Sequence, residues 1–226
     1  MLLALDTATR VMSIALHDGD ELRGEYAARI GNRQTTTLAP KIAELMADCD
    51  VSLGELTALA VSVGPGSYTG VRIGAAMGKG MAAVHQLPLI GVSTLDTLAA
   101  GQPYFQSGNA LIAVVQAGRG RIIVKSYRWR KGRWTSRAEP RLMTWDDLLE
   151  TIDGPAYVTG ELNAVGMEAI TAAQEREIPL SIAPAANRLR RAGFLAESAW
   201  ELYNSTDDKT VFDPVRLLPV YVKSED

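Results

Sequence analysis

The sequence has few of the side chains that most often perform catalysis or bind metal ions. Its 226 residues include one cysteine, Cys49, and two histidines, His17 and His85. A single cysteine excludes an internal disulfide and is typical of a reducing compartment, so we expect this chain to be cytoplasmic. Neither histidine lies in an H-E-x-x-H spacing, and the sequence contains no G-x-S-x-G segment. These absences predict no metal site and no catalytic nucleophile.

Long apolar segments are also missing. The longest apolar helical stretch runs from Val71 to Val84, contains Arg72 and Lys79, and is shorter than the about 20 residues that a membrane-spanning helix needs. The amino terminus has no basic leader before its short apolar run, which argues against a secretory signal. We therefore expect no membrane segment. The 47% content of hydrophobic residues predicts a substantial core in one large domain or two small ones.

Charge is distributed unevenly along the chain. The formal net charge is -3, with 23 basic and 26 acidic residues, yet residues 119–137 contain eight Arg or Lys and no acid. The other 15 basic residues are set against all 26 acidic residues, which is a balance of -11. The sequence therefore predicts an acidic protein that carries one basic stripe.

The first half of the sequence predicts a meander of three strands followed by alternating helices and strands. Apolar residues recur at helical spacing in residues 35–49, and Ser52 with Glu55 forms a capping-box pattern before the next strand. The predicted strands are 2–6, 12–18, 21–28, 58–64 and 87–92, and the predicted helices are 35–49 and 67–85.

The second half repeats this order after a predicted linker at residues 101–110. A helix at 144–152 is expected to be capped by Thr144. Two successive units of this kind predict a duplicated α/β fold with two βββαβα subdomains, at residues 1–104 and 105–226. The predicted strands are 110–116, 121–129, 133–139, 156–160 and 179–183, and the predicted helices are 144–152, 162–177 and 191–204.

A glycine-rich turn follows a predicted buried strand. Gly64, Gly66 and Gly70 have the spacing G-x-G-x-x-x-G, one residue away from the dinucleotide-binding fingerprint, and no Gly-Lys-Ser or Gly-Lys-Thr segment follows. Backbone amides near Gly66 and the hydroxyls of Ser67 and Thr69 suit an anion at the start of the next helix. The alternative is that the glycines only form a tight turn.

A second candidate for nucleotide binding lies at the end of the first predicted strand. Asp6, Thr7 and Thr9 provide a carboxylate and two hydroxyls that suit a metal-bound phosphate, although Asp followed by Thr is also an ordinary turn pattern. The matching position in the second half is Gln116, so the second acid expected in a phosphate-transfer cleft is missing there. The candidate nucleotide-binding residues are Asp6, Thr7, Thr9, Gly64, Gly66, Ser67 and Thr69.

The predicted helix at 67–85 is apolar on nearly all sides. Gly70, Gly74 and Gly78 form a stripe of small residues where another backbone can approach closely, and larger apolar residues occupy a different part of the circumference. Such a helix is buried on more than one side, by its own sheet and by either the helix at 35–49 or a partner chain. The candidate interface residues are Leu38, Ile42, Leu45, Gly70, Ile73, Gly74, Met77, Gly78 and Met81.

Basic and aromatic residues are interleaved in the basic stripe, which is the composition of a nucleic-acid-binding surface. The alternative is a solvated hairpin in which Trp129 and Trp134 pair across two strands. The candidate nucleic-acid contacts are Arg128, Arg130, Lys131 and Arg133.

Four segments resemble the TsaB family of bacterial tRNA threonylcarbamoyladenosine biosynthesis proteins, also called YeaZ. They are "LLALDTAT" at the start, "ALAVSVGPGSYTGVRIGAAMGKGMA", "LPLIGVSTLDTLA" and the terminal "PVYVK". The resemblance is specific over residues 1–100 and thinner afterwards. It implies the actin, Hsp70 and sugar-kinase-like (ribonuclease-H-like) fold, in agreement with the duplicated order of elements.

The resemblance also implies a non-catalytic subunit of the complex that transfers threonylcarbamoyl to the adenosine next to the anticodon of tRNA. Its expected role is to bind and stabilise the catalytic TsaD-like subunit, with a TsaE-like ATPase joining and tRNA bound through the complex. Alone, the chain is expected to form a homodimer. No cofactor is expected to be required, and ATP or ADP with Mg²⁺ would act at the level of the complex.

Three positions depart from related sequences. Thr94 and Leu98 stand where TsaD carries metal-binding histidines, and neither side chain can replace an imidazole on a metal. Gln116 stands where TsaB-like proteins usually have Asp. Two other functions are left open by the residues alone: a freestanding ATP-dependent enzyme that uses the candidate nucleotide-binding residues, and a direct tRNA-binding module that uses the basic stripe.

Overall fold

The chain forms two compact units in the computed structural model, which describes residues 1–104, 109–136 and 138–222. The first unit comprises Met1–Thr97 and Arg190–Val220, and the second comprises Leu98–Leu189 with the end of the chain. Residues 105–108 of the predicted linker, and Arg137 of the basic stripe, lie outside the described residues.

The first unit is built on one five-stranded sheet. Its elements in chain order are β1 (Leu2–Asp6), β2 (Val11–His17), β3 (Leu22–Arg29), α1 (Gln34–Asp48), β4 (Ala58–Ser62), α2 (Tyr68–His85) and β5 (Leu89–Val92), after which α3 (Thr94–Ala100) leads into the second unit. The strand order is β3-β2-β1-β4-β5. β1 pairs antiparallel with β2 and parallel with β4, as expected for a meander followed by a crossover helix.

The second unit has a six-stranded sheet. Its elements are β6 (Ala110–Gly118), β7 (Arg121–Arg130), β8 (Arg133–Thr135), β9 (Arg141–Met143), α4 (Trp145–Glu150), β10 (Ala156–Gly160), α5 (Ala164–Glu175), β11 (Leu180–Ile182) and α6 (Ala185–Arg188). The strand order is β11-β10-β6-β7-β8, and β9 pairs with β7. The chain then enters α7 (Ala192–Ser205), which belongs to the first unit.

Both faces of the first sheet are covered by helices. Leu3 and Leu5 of β1 lie in a core with α1 and α2, whereas Leu2 and Ala4 pack with α7. All five residues of β1 are fully buried, which matches an unbroken apolar run that ends in a single acid. The carboxyl end of β1 therefore places Asp6 in the interior of the unit.

Capping residues set the starts of two helices. At the start of α2 the backbone N–H of Gly70 donates to the Ser67 hydroxyl (3.2 Å). At the start of α4 the backbone N–H of Asp147 donates to the Thr144 hydroxyl (3.2 Å), and the backbone N–H of Thr144 donates to the Asp147 carboxylate (2.9 Å). The hydrogen bonds from Thr144 lower the pKa of Asp147. The predicted cap at Thr144 is confirmed.

The second half of the chain differs from the sequence-based prediction in two respects. The predicted strand at 133–139 is shortened to β8, which ends at Thr135, and β9, which was not predicted, pairs with Ile122–Val124 of β7. The predicted boundary between residues 104 and 105 separates the two sheets, but α7 packs on the first sheet rather than the second. An amphipathic helix pattern does not specify which apolar sheet face the helix covers, and this explains the difference.

Within the described ranges, no helix has both the length and the apolar character needed to cross a bilayer.

Candidate functional site

The predicted nucleotide-binding carboxylate is held by an arginine of the same unit. Arg190 Nε donates to Asp6 Oδ2 (2.7 Å) and Arg190 Nη2 donates to Asp6 Oδ1 (3.3 Å). Arg190 Nη1 also donates to the Thr9 hydroxyl (2.9 Å). The exposed fractions of Asp6 and Arg190 are 0% and 3%. Asp6 and Arg190 thus form a buried, bidentate ion pair, which is the geometry that suits a guanidinium group.

Other polar groups at the carboxyl end of β1 also form hydrogen bonds within the chain. The backbone N–H of Ala8 donates to Asp6 Oδ1 (2.9 Å), and the Thr7 hydroxyl donates to the carbonyl oxygen of Gly70 (2.7 Å). The structure therefore brings Asp6, Thr7 and Thr9 together, as predicted, and surrounds them with protein partners. Sequence reasoning missed Arg190, because it lies 184 positions from Asp6 in the chain. No local pattern pointed to it.

The glycine-rich turn packs directly on the end of β1. The backbone N–H of Ser67 donates to the carbonyl oxygen of Ala8 (2.7 Å). A Cβ atom added to Gly66 or Gly70 would overlap the carbonyl oxygens of Ala8 and Thr7, respectively. These glycines permit a close approach of two backbone segments. The packing supports the interpretation of the loop as a tight turn, and anion binding there stays a prediction.

The small-residue stripe of α2 faces the chain's own sheet, so the prediction that Gly70, Gly74 and Gly78 contact a partner is wrong. An added Cβ at Gly74 would lie 2.5 Å from Thr7 Oγ1, and one at Gly78 would lie 2.7 Å from Val61 Cγ1. Only glycine fits at these positions, because Thr7 and β4 leave no room for a side chain.

Three candidate interface residues of α1 are also part of the core. The exposed fractions of Leu38, Ile42 and Leu45 are 1%, 5% and 8%. Leu38 and Leu45 line no open surface, so their place in a partner interface is corrected as well, whereas the edge of Ile42 lines a groove. Residues of the larger stripe, Ile73, Met77 and Met81, are only partly buried.

An apolar groove remains open between α1 and α2. It encloses about 410 Å³. The groove is lined by Ala39, Ile42, Ala43, Met46, Ala47, Val51, Leu53, Met77 and Met81, all of which are apolar. Three of the predicted interface residues, Ile42, Met77 and Met81, thus meet at one surface. Periodicity had placed them on two separate helices without showing that the helices are adjacent.

The second unit contains an acid beside Gln116 that the sequence did not reveal. The backbone N–H of Gln116 donates to Glu161 Oε2 (3.0 Å), and Gln116 Nε2 donates to the carbonyl oxygen of Glu161 (2.8 Å). Asn163 Nδ2 donates to Gln116 Oε1 (3.1 Å). β6 and β10 are parallel neighbours, so their carboxyl ends bring residues 45 positions apart into contact.

Thr94 and Leu98, which stand at the positions of the TsaD metal-binding histidines, offer no metal ligand to an open site. Thr94 is fully buried and its hydroxyl shares a hydrogen bond with that of Ser62 (2.8 Å), and Leu98 is 2% exposed. In the described part of the chain, three or more His, Cys, Asp or Glu residues nowhere come together in a way that could hold a metal ion.

We predict that elemental analysis of the purified protein will find no stoichiometric zinc or iron, because Thr94 and Leu98 cannot supply imidazole ligands. The measurement should follow dialysis against a weak chelator, so that loosely bound ions are removed. One tightly bound equivalent per chain would contradict the prediction and would indicate a site built from other residues.

Comparison with known proteins identifies the family. A family model described as TsaD, tRNA N6-adenosine threonylcarbamoyltransferase, matches residues 30–182. The tRNA threonylcarbamoyladenosine biosynthesis protein TsaB of Bacillus subtilis is 31% identical over 162 residues, which are 70% of this chain and 70% of that protein. The chain belongs to the TsaB family. TsaB of Escherichia coli is 34% identical over 134 residues, covering 59% of this chain and 58% of that protein.

The solved structures agree with this assignment at the level of the fold. YeaZ from Pseudomonas aeruginosa superposes with a TM-score of 0.76 over 98% of this chain and 99% of that chain, at 23% sequence identity. The TsaB family member described here therefore shares the α/β fold of YeaZ, the fold that its resemblance to the TsaB family implied.

Proposed function

We propose that this TsaB family member is a non-catalytic subunit that binds and stabilises a TsaD-like catalytic subunit. That subunit would transfer threonylcarbamoyl to the adenosine next to the anticodon of tRNA, and a TsaE-like ATPase would join the assembly. The observation that carries the proposal is the open groove between α1 and α2, whose nine lining residues are all apolar.

An apolar groove of this kind favours a partner protein over solvent. Burial of apolar surface is favourable by about 25 cal/mol per Å², so a groove without a single charged lining residue gains by being covered. Contiguous apolar surfaces on soluble proteins commonly mark interaction sites. Leu38 and Leu45 of α1 and Ala75 of α2 lie in the core of the first unit, so both helices that line the groove are packed in place before a partner binds.

The family match supports a TsaD-like partner. A model built for TsaD matches 68% of this chain by position, residues 30–182 of 226, so the two subunits are expected to share the fold. Two chains of one fold can each present an equivalent helix pair, which gives a contact close to two-fold symmetry. The same groove would serve a homodimer when the catalytic subunit is absent.

The proposal assigns the chemistry to the partner. Asp6 is engaged by Arg190, and Thr94 and Leu98 provide no metal ligands. We therefore propose that this chain needs no nucleotide or metal of its own, and that ATP or ADP with Mg²⁺ acts through the ATPase of the complex. A cytoplasmic location follows from the proposed tRNA substrate.

A charge placed in the groove tests the proposal. Ala43 is an exposed residue of α1 that lines the groove. Ala43→Glu should leave the fold intact, because glutamate is a good helix former, and should bury an unpaired carboxylate in the complex. A penalty of about 3 kcal/mol would lower affinity for the TsaD-like protein roughly 150-fold. Calorimetric titration and a reconstituted tRNA modification assay measure the effect.

Ala172→Glu is the matched control, because Ala172 is an exposed residue on α5 in the second unit. It should leave both binding and modification unchanged. Wild-type affinity in Ala43→Glu would show that the groove is not the binding surface.

A further inference from the structure

The groove between α1 and α2 is rich in methionine. Three of the seven methionines of the chain line it: Met46 of α1, and Met77 and Met81 of α2. Met77 and Met81 are four positions apart, so they are neighbours on one side of the helix. Both are partly exposed, whereas Met46 is 5% exposed and packs in the core. Two accessible thioethers therefore lie side by side in an apolar surface.

The surroundings of these thioethers suit a reduced methionine and not a polar group. All nine residues that line the groove are apolar, so their side chains offer no N–H or O–H donor to an oxygen atom placed there. A reduced methionine is itself apolar, and its flexible side chain adapts to the surface that covers it. A group that needs hydrogen bonds would lose them when a partner covers the groove.

Oxidation of methionine creates such a group. Hydrogen peroxide transfers one oxygen atom to the thioether: a sulfur–oxygen bond forms, the oxygen–oxygen bond of the peroxide breaks, the sulfur gives up two electrons, and water leaves. The product, methionine sulfoxide, is polar, and methionine sulfoxide reductases convert it back to methionine. Because the peroxide must reach the sulfur atom, exposed methionines react before those in the core.

We infer that the groove is a redox-sensitive surface, in which peroxide oxidation of Met77 and Met81 weakens binding of the TsaD-like partner. The inference rests on the proposed function, which places the partner on this groove, and it adds a regulation of that site. A partner that covers the oxidised groove removes each sulfoxide oxygen from water and gives it no hydrogen bond from the lining side chains. A partner that is already bound covers the sulfur atoms and slows their oxidation.

Peptide mass spectrometry after brief treatment with hydrogen peroxide tests which methionines react. In the free chain, Met77 and Met81 should be oxidised early, as should Met167 on α5, which is 38% exposed. Met12 and Met143, with exposed fractions of 0% and 8%, should react later. In the assembled complex, oxidation at positions 77 and 81 should be slower than in the free chain.

The functional measurement is the affinity for the TsaD-like protein before and after peroxide treatment, by calorimetric titration once the peroxide has been removed. Even one buried sulfoxide should lower the affinity of the wild-type chain roughly 5- to 150-fold, and a methionine sulfoxide reductase should restore it. Each variant is compared with itself, so its starting affinity does not affect the result. The affinity of Met77→Leu/Met81→Leu should not change on treatment, because leucine fills a similar volume and has no sulfur. Met167→Leu is the matched control and should lose affinity on treatment as the wild type does.

The outcomes distinguish this inference from the proposed function. If the untreated chain does not bind the TsaD-like protein, the proposed function fails and the inference fails with it. If the untreated chain binds and the chain with both sulfoxides binds equally well, only the inference is overturned. A loss of affinity that persists in Met77→Leu/Met81→Leu would place the sensitive group elsewhere, for example at the partly exposed Cys49, and a treated chain that no longer melts cooperatively would assign the loss to unfolding. Either result also overturns the inference.

Discussion

Gly74→Leu is expected to prevent this protein from folding, rather than to weaken its association with a partner. A Cβ at position 74 would lie 2.5 Å from Thr7 Oγ1, and a leucine adds three further carbons in the same direction. Thr7 cannot yield easily, because it is 1% exposed and its hydroxyl donates to the carbonyl oxygen of Gly70. Even one overpacked methyl group typically costs about 1 to 3 kcal/mol, out of a total stability of about 5 to 15 kcal/mol.

The smaller substitution makes the effect measurable. Gly74→Ala should lower the free energy of unfolding by about 1 to 3 kcal/mol, although alanine is favoured over glycine by about 1 kcal/mol in a helix interior. Gly80 lies on the same helix with no atom within 4 Å of an added Cβ. Gly80→Ala should therefore raise stability by about 0.5 to 1 kcal/mol. Urea denaturation of the two alanine variants compares them directly, and equal stabilities would contradict the packing described for α2.

Arg190→Met is expected to destabilise the protein by about 3 to 5 kcal/mol, because it leaves the Asp6 carboxylate buried without its counter-charge. Asp6 is fully buried and the backbone N–H of Ala8 would be its remaining hydrogen-bond donor among the contacts described above. The double variant Asp6→Asn/Arg190→Met removes both charges and keeps an acceptor for Ala8, so it should recover part of the loss. A double-mutant cycle by chemical denaturation measures the coupling between the two residues.

The neighbouring arginine provides a matched control. Arg191 pairs with Glu25, with Nε 2.7 Å from Oε2, and the Arg191 side chain is 45% exposed. Glu25 is only 10% exposed but keeps a hydrogen bond from the backbone N–H of Gly193 (2.7 Å), and solvent reaches Arg191, so Arg191→Met should cost less than Arg190→Met, about 1 to 2 kcal/mol. If Arg190→Met and Arg191→Met lower the free energy of unfolding equally, burial of the Asp6–Arg190 pair does not add to its contribution to stability.

The same variants address the alternative of a freestanding ATP-dependent enzyme. If the only role of Asp6 is its ion pair with Arg190, the rate of magnesium-dependent ATP hydrolysis by the purified chain should stay at background in the wild type and in Asp6→Asn. Hydrolysis that is present in wild type and lost in folded Asp6→Asn would favour the enzyme. Stability and hydrolysis thus report on two different roles of one carboxylate.

Local patterns in the sequence were sufficient to predict most of the helices and strands of the fold. β1 is a run of apolar residues that ends at Asp6, and the cap at Thr144 sets the start of α4. Such features depend on residues a few positions apart, and their physical effect is the same wherever the segment lies. The motifs that resemble the TsaB family are local for the same reason, so the family was also accessible from the sequence.

The tertiary structure alone decided which surfaces face solvent and which partners fill the predicted site. Periodicity showed that Gly74 and Met77 lie on different sides of α2. Both sides carry small or apolar residues, so the pattern does not show which of them the sheet covers. The packing of Gly74 on Thr7 shows that the sheet covers the glycine side. The pairs Asp6–Arg190 and Gln116–Glu161 join residues 184 and 45 positions apart. Contacts at such separations are set by strand order and by the sheet that α7 covers, which no local pattern encodes.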